Sequence, residues 1–283
     1  MHKQQSRSGP AAPADIASDA VPDDLVPPPA RTALLDNPRV LGWGSIVLAL
    51  AVWETAALLS GINSLYLPRP SQILRALVEM FRSGDLLTDL LMTLYRIFAG
   101  FFIALGVGTL LGVWIATSRR VRSIADMWIA ALYPLPKITL IPLLIIWLGT
   151  GGPFMLTISA LGAIFPILIN TVLGVQQCDP GLVLAARDLG ATPRQIVRRV
   201  LVPSAIPSIF AGVRLGLGVS IILVVAAEMV VGKSGLGARL YLAGQILETE
   251  QVFAVLIVLA ALGITVTKAQ DAVDAALGRW RLS

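Results

Sequence analysis

The feature that most constrains the fold of this chain is the distribution of its charged side chains. No charged residue occurs anywhere in 138–178, the longest charge-free run. Two further charge-free runs cover 97–118 and 251–267. A helix of about 20 mostly apolar residues crosses the hydrocarbon core of a membrane. The three runs therefore predict membrane-spanning helices.

The same pattern predicts an all-α, polytopic membrane protein with six spanning helices. The sequence Gly149-Thr150-Gly151-Gly152-Pro153 interrupts the longest run and is typical of a tight turn, so that run is divided between two helices. A water-soluble helical bundle is the alternative, but it requires polar helix faces, and 101–116 offers almost none. The predicted helices are 42–60, 93–116, 128–148, 153–174, 208–231 and 252–270.

Composition excludes several other classes of protein. Only 14% of the residues are charged, against about 25% in an ordinary soluble domain. The single cysteine, Cys178, excludes a disulfide framework and a cysteine-based metal site. The single histidine, His2, lies in the N-terminal tail, so histidine-based catalysis and histidine metal ligation are also excluded.

The net charge of +5 is better explained by membrane topology than by nucleic-acid binding. If the N-terminus is cytoplasmic, the predicted inner segments near the helices hold 12 Lys and Arg residues and the outer segments hold 5. Cytoplasmic loops carry such an excess of basic residues. The bias predicts that both termini are cytoplasmic.

The N-terminal segment 1–40 differs in composition from the rest of the chain. It holds 7 of the 18 prolines and 5 of the 17 acidic residues, without an apolar run. Because such a segment cannot bury a core, we expect 1–40 to be a disordered Pro-, Ala- and Asp-rich cytoplasmic tail. The transmembrane domain is expected to cover 41–283.

The segment 61–92 is predicted to lie on the outer side. Pro-rich residues 67–71 lead into a short helix, in which apolar residues repeat at helical spacing until Gly84. This helix either lies in the membrane interface or packs on the bundle. The apolar positions are Ile73, Leu74, Leu77, Val78 and Phe81.

The predicted cytoplasmic loop 176–208 contains secondary structure of its own. Asp179-Pro180 is a helix start, and Gly190 is a natural C-terminal stop. Thr192 and Gln195 form a capping box that starts a second helix, which we expect to end at Pro203. A simple connection needs only about 5 residues. The extra structure favours a surface that docks a cytoplasmic partner, although a membrane-lying hairpin is an alternative.

This loop resembles the cytoplasmic "EAA" loop of ABC importer permeases. In that motif Glu-Ala-Ala is followed by Gly, nine residues, Ile, any residue, Leu and Pro. Leu184 stands where Glu is usual, Val200 where Ile is usual, and Val202 where Leu is usual. The resemblance assigns an ATPase-coupling role to Leu184, Ala185, Ala186, Arg187, Asp188, Gly190 and Pro203.

The resemblance extends over roughly 42–283 and is to the sulfonate, taurine and nitrate group of permeases. It rests on motifs such as Leu67-Pro68-Arg69-Pro70-Ser71, Tyr133-Pro134-Leu135-Pro136-Lys137 and Ala227-Glu228-Met229. It implies the six-helix type I importer fold in a bacterial inner membrane. It also implies a second permease copy, two cytoplasmic ATPases that bind ATP and Mg, and an extracytoplasmic solute-binding protein. The chain itself has no Gly-rich Lys-Ser/Thr phosphate loop.

Ionisable residues within membrane helices are functional candidates by default. The pathway candidates are Lys137, Glu54, Arg214 and Glu228, and Arg96 is a further intramembrane charge. Each of Glu54, Arg214, Glu228 and Arg96 has either a structural role or a role in contacting substrate. Lys137 lies among three prolines and either faces an anion pathway or reaches lipid headgroups.

Two GxxxG pairs, at Gly108/Gly112 and Gly212/Gly216, predict close helix packing, either within one bundle or between two copies. The family resemblance implies a non-enzymatic permease subunit that carries a small anionic solute of the sulfonate, taurine or nitrate type. An ATP-independent channel or secondary carrier is the alternative. An intramembrane enzyme would require paired carboxylates or an activated nucleophile, and no such pair is apparent.

Overall fold

The structure, a computed structural model, describes residues 38–61 and 63–280. The predicted N-terminal tail falls outside these residues, apart from its last three positions. Within the described residues, the chain divides into two compact units, with the boundary between Val52 and Trp53. The helices are α1 (Pro38–Leu59), α2 (Pro70–Arg82), α3 (Asp85–Thr117), α4 (Arg119–Leu132), α5 (Ile141–Leu148), α6 (Gly152–Gln176), α7 (Pro180–Asp188), α8 (Pro193–Ile196), α9 (Val202–Val231), α10 (Leu236–Gln245) and α11 (Thr249–Trp280).

The core of the second unit lies where α3, α6 and α9 pack together. Small residues allow this approach: a Cβ atom on Gly112 would lie 2.6 Å from Thr171 Cβ, and one on Gly212 would lie 2.7 Å from the Pro166 carbonyl oxygen. Such close contacts are the expected use of glycine in membrane helices. The predicted packing role of the GxxxG pairs within one bundle is therefore confirmed.

Among the described residues, five helices are long and apolar enough to cross a membrane, and one bent pair of helices would make a sixth span. The bent pair corrects the predicted bounds of the helix over 128–148. α4 starts at Arg119 and is followed by a 3₁₀ turn (Lys137–Leu140) and α5, with a bend of 86° between the two halves. Pro134 and Pro136 lie in the break, where their missing N–H groups cannot continue a helix.

The prediction that the second loop helix ends at Pro203 is wrong. The helix that begins at Pro193 continues without interruption to Val231, a length of 39 residues. A π-helical turn at Val197–Leu201 immediately precedes the proline. Its i→i+5 hydrogen bonds shift the backbone pairing, so that the ring of Pro203 is accommodated and the helix continues past it.

The segments at the end of the bundle opposite α7 also differ in detail from the prediction. α2 packs on α11 and α3 through a face that includes Ile73, Ala76 and Met80, while Leu74 and Phe81 are exposed. The short helix α10 was not predicted, because it has no long apolar period. α3 and α11 extend well beyond their predicted bounds.

Candidate functional site

The helix α7 lies at one end of the second unit, which we call the coupling end. Asp179 caps it by accepting a hydrogen bond from the backbone N–H of Gly181 at 2.8 Å. Thr192 and Gln195 form the predicted capping box at the start of α8. Both predicted helix starts are therefore confirmed.

Gly190 ends the α7 region with φ of +78°, in the left-handed region that favours glycine. The stop predicted from the sequence is confirmed. Beneath the turn, Ile196 is buried, whereas Pro203 is exposed. The turn thus fixes the direction in which α7 stands relative to the long helix that follows.

Most of the predicted coupling residues are exposed on α7. Leu184 is 57% exposed and Leu189, just after the helix, is 89% exposed. Ala185, Arg187 and Asp188 are also exposed, and Ala186 is half-buried. Exposed leucines beside alanines on a structured helix are typical of a surface that binds another protein.

Lys137 lies at the break between α4 and α5. Its Nζ donates a hydrogen bond to the Tyr133 carbonyl at 2.7 Å, and it lies 5.0 Å and 5.2 Å from the ring centres of Tyr133 and Phe165. An ammonium group has three donors, so two remain for another acceptor. Within the described part of the chain, Lys137 makes no salt bridge.

The position of Phe165 gives the depth of Lys137 in the bundle. Phe165 lies close to midway along α6, which runs from Gly152 to Gln176. At the rise of an α-helix, it is about 20 Å from the start of α6 and about 17 Å from its end. The ammonium of Lys137 therefore lies near the middle of this span, which disfavours the alternative that it reaches lipid headgroups.

Two other pathway candidates have partners within the fold. Glu54 accepts hydrogen bonds from the Ser71 N–H at 3.0 Å and the Ser71 hydroxyl at 2.8 Å, so it caps the N-terminus of α2. Arg214 bonds to Asp271 at 2.5 Å and Asp274 at 2.6 Å on α11, rather than snorkelling alone.

The last candidate, Glu228, is fully buried near the end of α9. Arg96 donates to its carboxylate at 2.7 Å. This pairing was missed by sequence reasoning, because the two residues are far apart in the chain and neither has a local partner that marks it. Their roles, like those of all the pathway candidates, stay predictions.

These helices and buried charges define a polytopic membrane protein in which α7 is exposed at one end of the bundle. The family of binding-protein-dependent transport system inner membrane components matches residues 108–279. The chain belongs to this family, which places it among the permease subunits of ATP-driven ABC importers, in the inner membrane.

Relatives and structures of similar proteins agree with that assignment. The taurine transport system permease protein TauC of Escherichia coli is 32% identical, over 87% of this chain and 91% of its own length. The putative aliphatic sulfonates transport permease protein SsuC of Bacillus subtilis is also 32% identical, over 83% of this chain and 85% of its own length. The inward-facing structure of the MetNI methionine ABC transporter is similar with a TM-score of 0.54 and 27% identity, covering 69% of this chain and 94% of the matched chain.

Proposed function

We propose that this permease imports small sulfonate-type anions. Two copies form the pathway, with both termini cytoplasmic, and an extracytoplasmic binding protein delivers the solute. Two cytoplasmic ATPases, which hold ATP and Mg, drive the cycle. The similarity to TauC and SsuC over most of the chain supports this class of substrate.

The coupling part of the proposal rests on α7. Its exposed face presents Leu184, Ala185 and Leu189 to the surroundings. Small side chains allow a partner's groove to close on the helix, and leucines supply apolar area for it to bury. We propose that this face of α7 contacts the ATPase, and that the coupling end lies on the cytoplasmic side of the membrane.

The observation that supports a sulfonate-type substrate is the position of the Lys137 ammonium group near the middle of the span. A charge at this depth is costly unless protein or water covers it. The prolines in the break between α4 and α5 have no backbone N–H to donate, and such irregular backbone within a membrane is tolerated where protein covers it or where it lines a cavity. A sulfonate offers three acceptor oxygens and one negative charge to the two unused donors of Lys137.

Substitution of Lys137 tests this assignment. In the reconstituted transporter, Lys137→Gln is expected to lower the uptake of taurine or an alkanesulfonate by about tenfold to a hundredfold, because a hydrogen bond to a charged group contributes about 1.5–3 kcal/mol. The measurement is initial uptake of radiolabelled solute by proteoliposomes at several concentrations. Binding-protein-stimulated ATP hydrolysis in the same samples reports assembly.

Lys268→Gln is the matched control, because Lys268 is an exposed lysine on α11 that makes no salt bridge within the described residues. We expect its uptake to match that of the unmodified protein. Equal uptake by the Lys137 and Lys268 variants would remove Lys137 from the pathway. Uptake that proceeds without ATP would instead favour the channel or carrier.

A further inference from the structure

A cluster of polar groups closes the end of the bundle opposite α7. It comprises Asp89, Thr93 and Arg96 on α3, Glu228 on α9, and the backbone of 234–237; we call it the distal latch. The three α3 residues are spaced i, i+4 and i+7, so they share one helix face. From that face they contact α9 and the turn into α10 at the same time.

Glu228 is the centre of the latch. Its carboxylate accepts hydrogen bonds from Thr93 Oγ1 at 3.0 Å, Arg96 at 2.7 Å and the backbone N–H of Gly237 at 3.0 Å. Both Glu228 and Thr93 have no exposed surface. Several donors on a buried carboxylate compensate for its desolvation, whereas removal of one donor leaves part of that compensation missing.

The turn between α9 and α10 is held from the same helix face. Asp89 accepts from the Gly235 N–H at 2.9 Å, and Thr93 Oγ1 accepts from the Leu236 N–H at 2.9 Å. Arg96 donates to the Ser234 carbonyl at 2.8 Å and to its hydroxyl at 2.7 Å. Consecutive residues of the turn are therefore bonded to one stripe of α3.

The helix that carries Glu228 also leads to the coupling end. Residues 193–231 form one helix of 39 residues, or roughly 58 Å, that begins directly after the α7 turn. A continuous helix transmits displacement along its length more directly than a jointed segment does. One end of this helix is thus next to α7 and the other is bonded to α3 and α10.

We propose that the distal latch is the positioning element that links α7 to the opposite end of the pathway. It keeps α3, the end of α9 and α10 together as one body, so that displacement of the long helix at the coupling end moves all three. Glu228 and Thr93 act as positioning residues and do not contact substrate. This inference rests on the proposed function, because it requires an ATPase that moves α7.

The latch remains closed throughout the cycle in this account. Opening it would leave a buried carboxylate and a guanidinium without partners in apolar surroundings, which is far more costly than moving a packed unit. The backbone N–H groups of Leu236 and Gly237 report its state, since their acceptors are Thr93 and Glu228. Their hydrogen exchange should be slow with and without nucleotide.

The test uses the complete transporter and the substitution Thr93→Val, which keeps the side-chain shape and removes the hydroxyl. Thr109→Val is the matched control, because Thr109 lies on the same helix and its buried hydroxyl has no hydrogen-bond partner among the described residues. We expect Thr93→Val to retain ATP hydrolysis while the solute transported per ATP falls about tenfold, the effect of roughly 1.4 kcal/mol. Thr109→Val should keep the normal ratio.

The results separate the latch from the proposed function. If the unmodified transporter moves solute but both valine variants keep the normal ratio of solute to ATP, the latch assignment is wrong. A proportional loss of transport and hydrolysis in Thr93→Val would also overturn it, because that result indicates general destabilisation. Nucleotide-dependent exchange at 235–237 would show that the latch opens and would contradict the account. Failure of the unmodified transporter to couple ATP to uptake would instead reject the proposed function.

Discussion

At the scale of single residues, the charged side chains within the membrane helices differ in how fully other residues of the fold pair with them. Glu54 caps α2, Arg214 bonds to two aspartates of α11, and Glu228 is enclosed by the distal latch. Among the described residues, Lys137 bonds only to the Tyr133 carbonyl and lies beside two aromatic rings. The residue with unused donors is therefore the best candidate for contact with an anion.

The distal latch restricts the backbone conformation at Gly235. Its φ is +99°, in the left-handed region, and a Cβ atom there would collide with the carboxylate of Glu228. We expect Gly235→Ala to lower the stability of the purified protein by about 2–5 kcal/mol, from the backbone strain and the forced contact together. The midpoint of thermal unfolding, followed by tryptophan fluorescence, measures this loss.

Gly244 on α10 provides the comparison for that substitution. No atom lies within 4 Å of a Cβ atom built there, and its φ is not in the left-handed region. Gly244→Ala should therefore leave the unfolding midpoint unchanged or slightly raised, since alanine favours helix. Similar midpoints for the two variants would show that the close packing around Gly235 is not a constraint in the protein.

At the scale of secondary-structure elements, α7 makes the most direct prediction. Ala185 is exposed, so Ala185→Trp should leave the permease core intact while obstructing a fitted partner groove. Overpacking a close contact costs about 1–3 kcal/mol, which corresponds to a loss of affinity of about fivefold to more than a hundredfold. Co-purification of the ATPase with tagged permease measures the effect.

Arg198→Ala is the corresponding control, because Arg198 is exposed on the π-helical turn beyond the predicted docking face. We expect this variant to retain the ATPase. Normal recovery of the ATPase with Ala185→Trp would reject the assignment of α7 as the docking helix, even though the chain belongs to the permease family.

The sequence predicted the elements that have strong local signals. The charge-free runs located the spanning helices, and Asp179, Gly190 and Thr192 marked the ends of the loop helices correctly. Pro203 misled the prediction, because a proline stops an isolated helix but is accommodated after a π-helical turn. The extent of the bend between α4 and α5 was also missed, although its prolines pointed to a broken helix.

The hydrogen bonds of the distal latch could not be predicted from sequence patterns, for a different reason. Arg96 and Glu228 are separated by 132 positions, and the partner of each is determined only by how α3 and α9 pack. The same is true of Arg214 and its two aspartates. Local periodicity identifies which face of a helix is apolar, but it does not identify the residue that a buried charge meets on another helix.

At the scale of the whole molecule, the proposal connects three sites in the second compact unit. α7 is the proposed contact for the ATPase, Lys137 lies near the middle of α6, and the distal latch lies at the opposite end of the long helix. In the proposed topology, the α7 end lies in the cytoplasm, as the excess of basic residues in the nearby segments predicts. This arrangement suits an importer, in which ATP acts at one end and solute enters at the other.

ATP dependence of solute uptake tests the central claim most directly. The permease, its ATPase and its binding protein are reconstituted in vesicles, with ATP on the side of α7 and labelled taurine with the binding protein on the other. The account predicts accumulation against the gradient that stops when ATP or the binding protein is omitted. Taurine flux that is equal with and without ATP would contradict it and would identify the chain as a passive or secondary pathway.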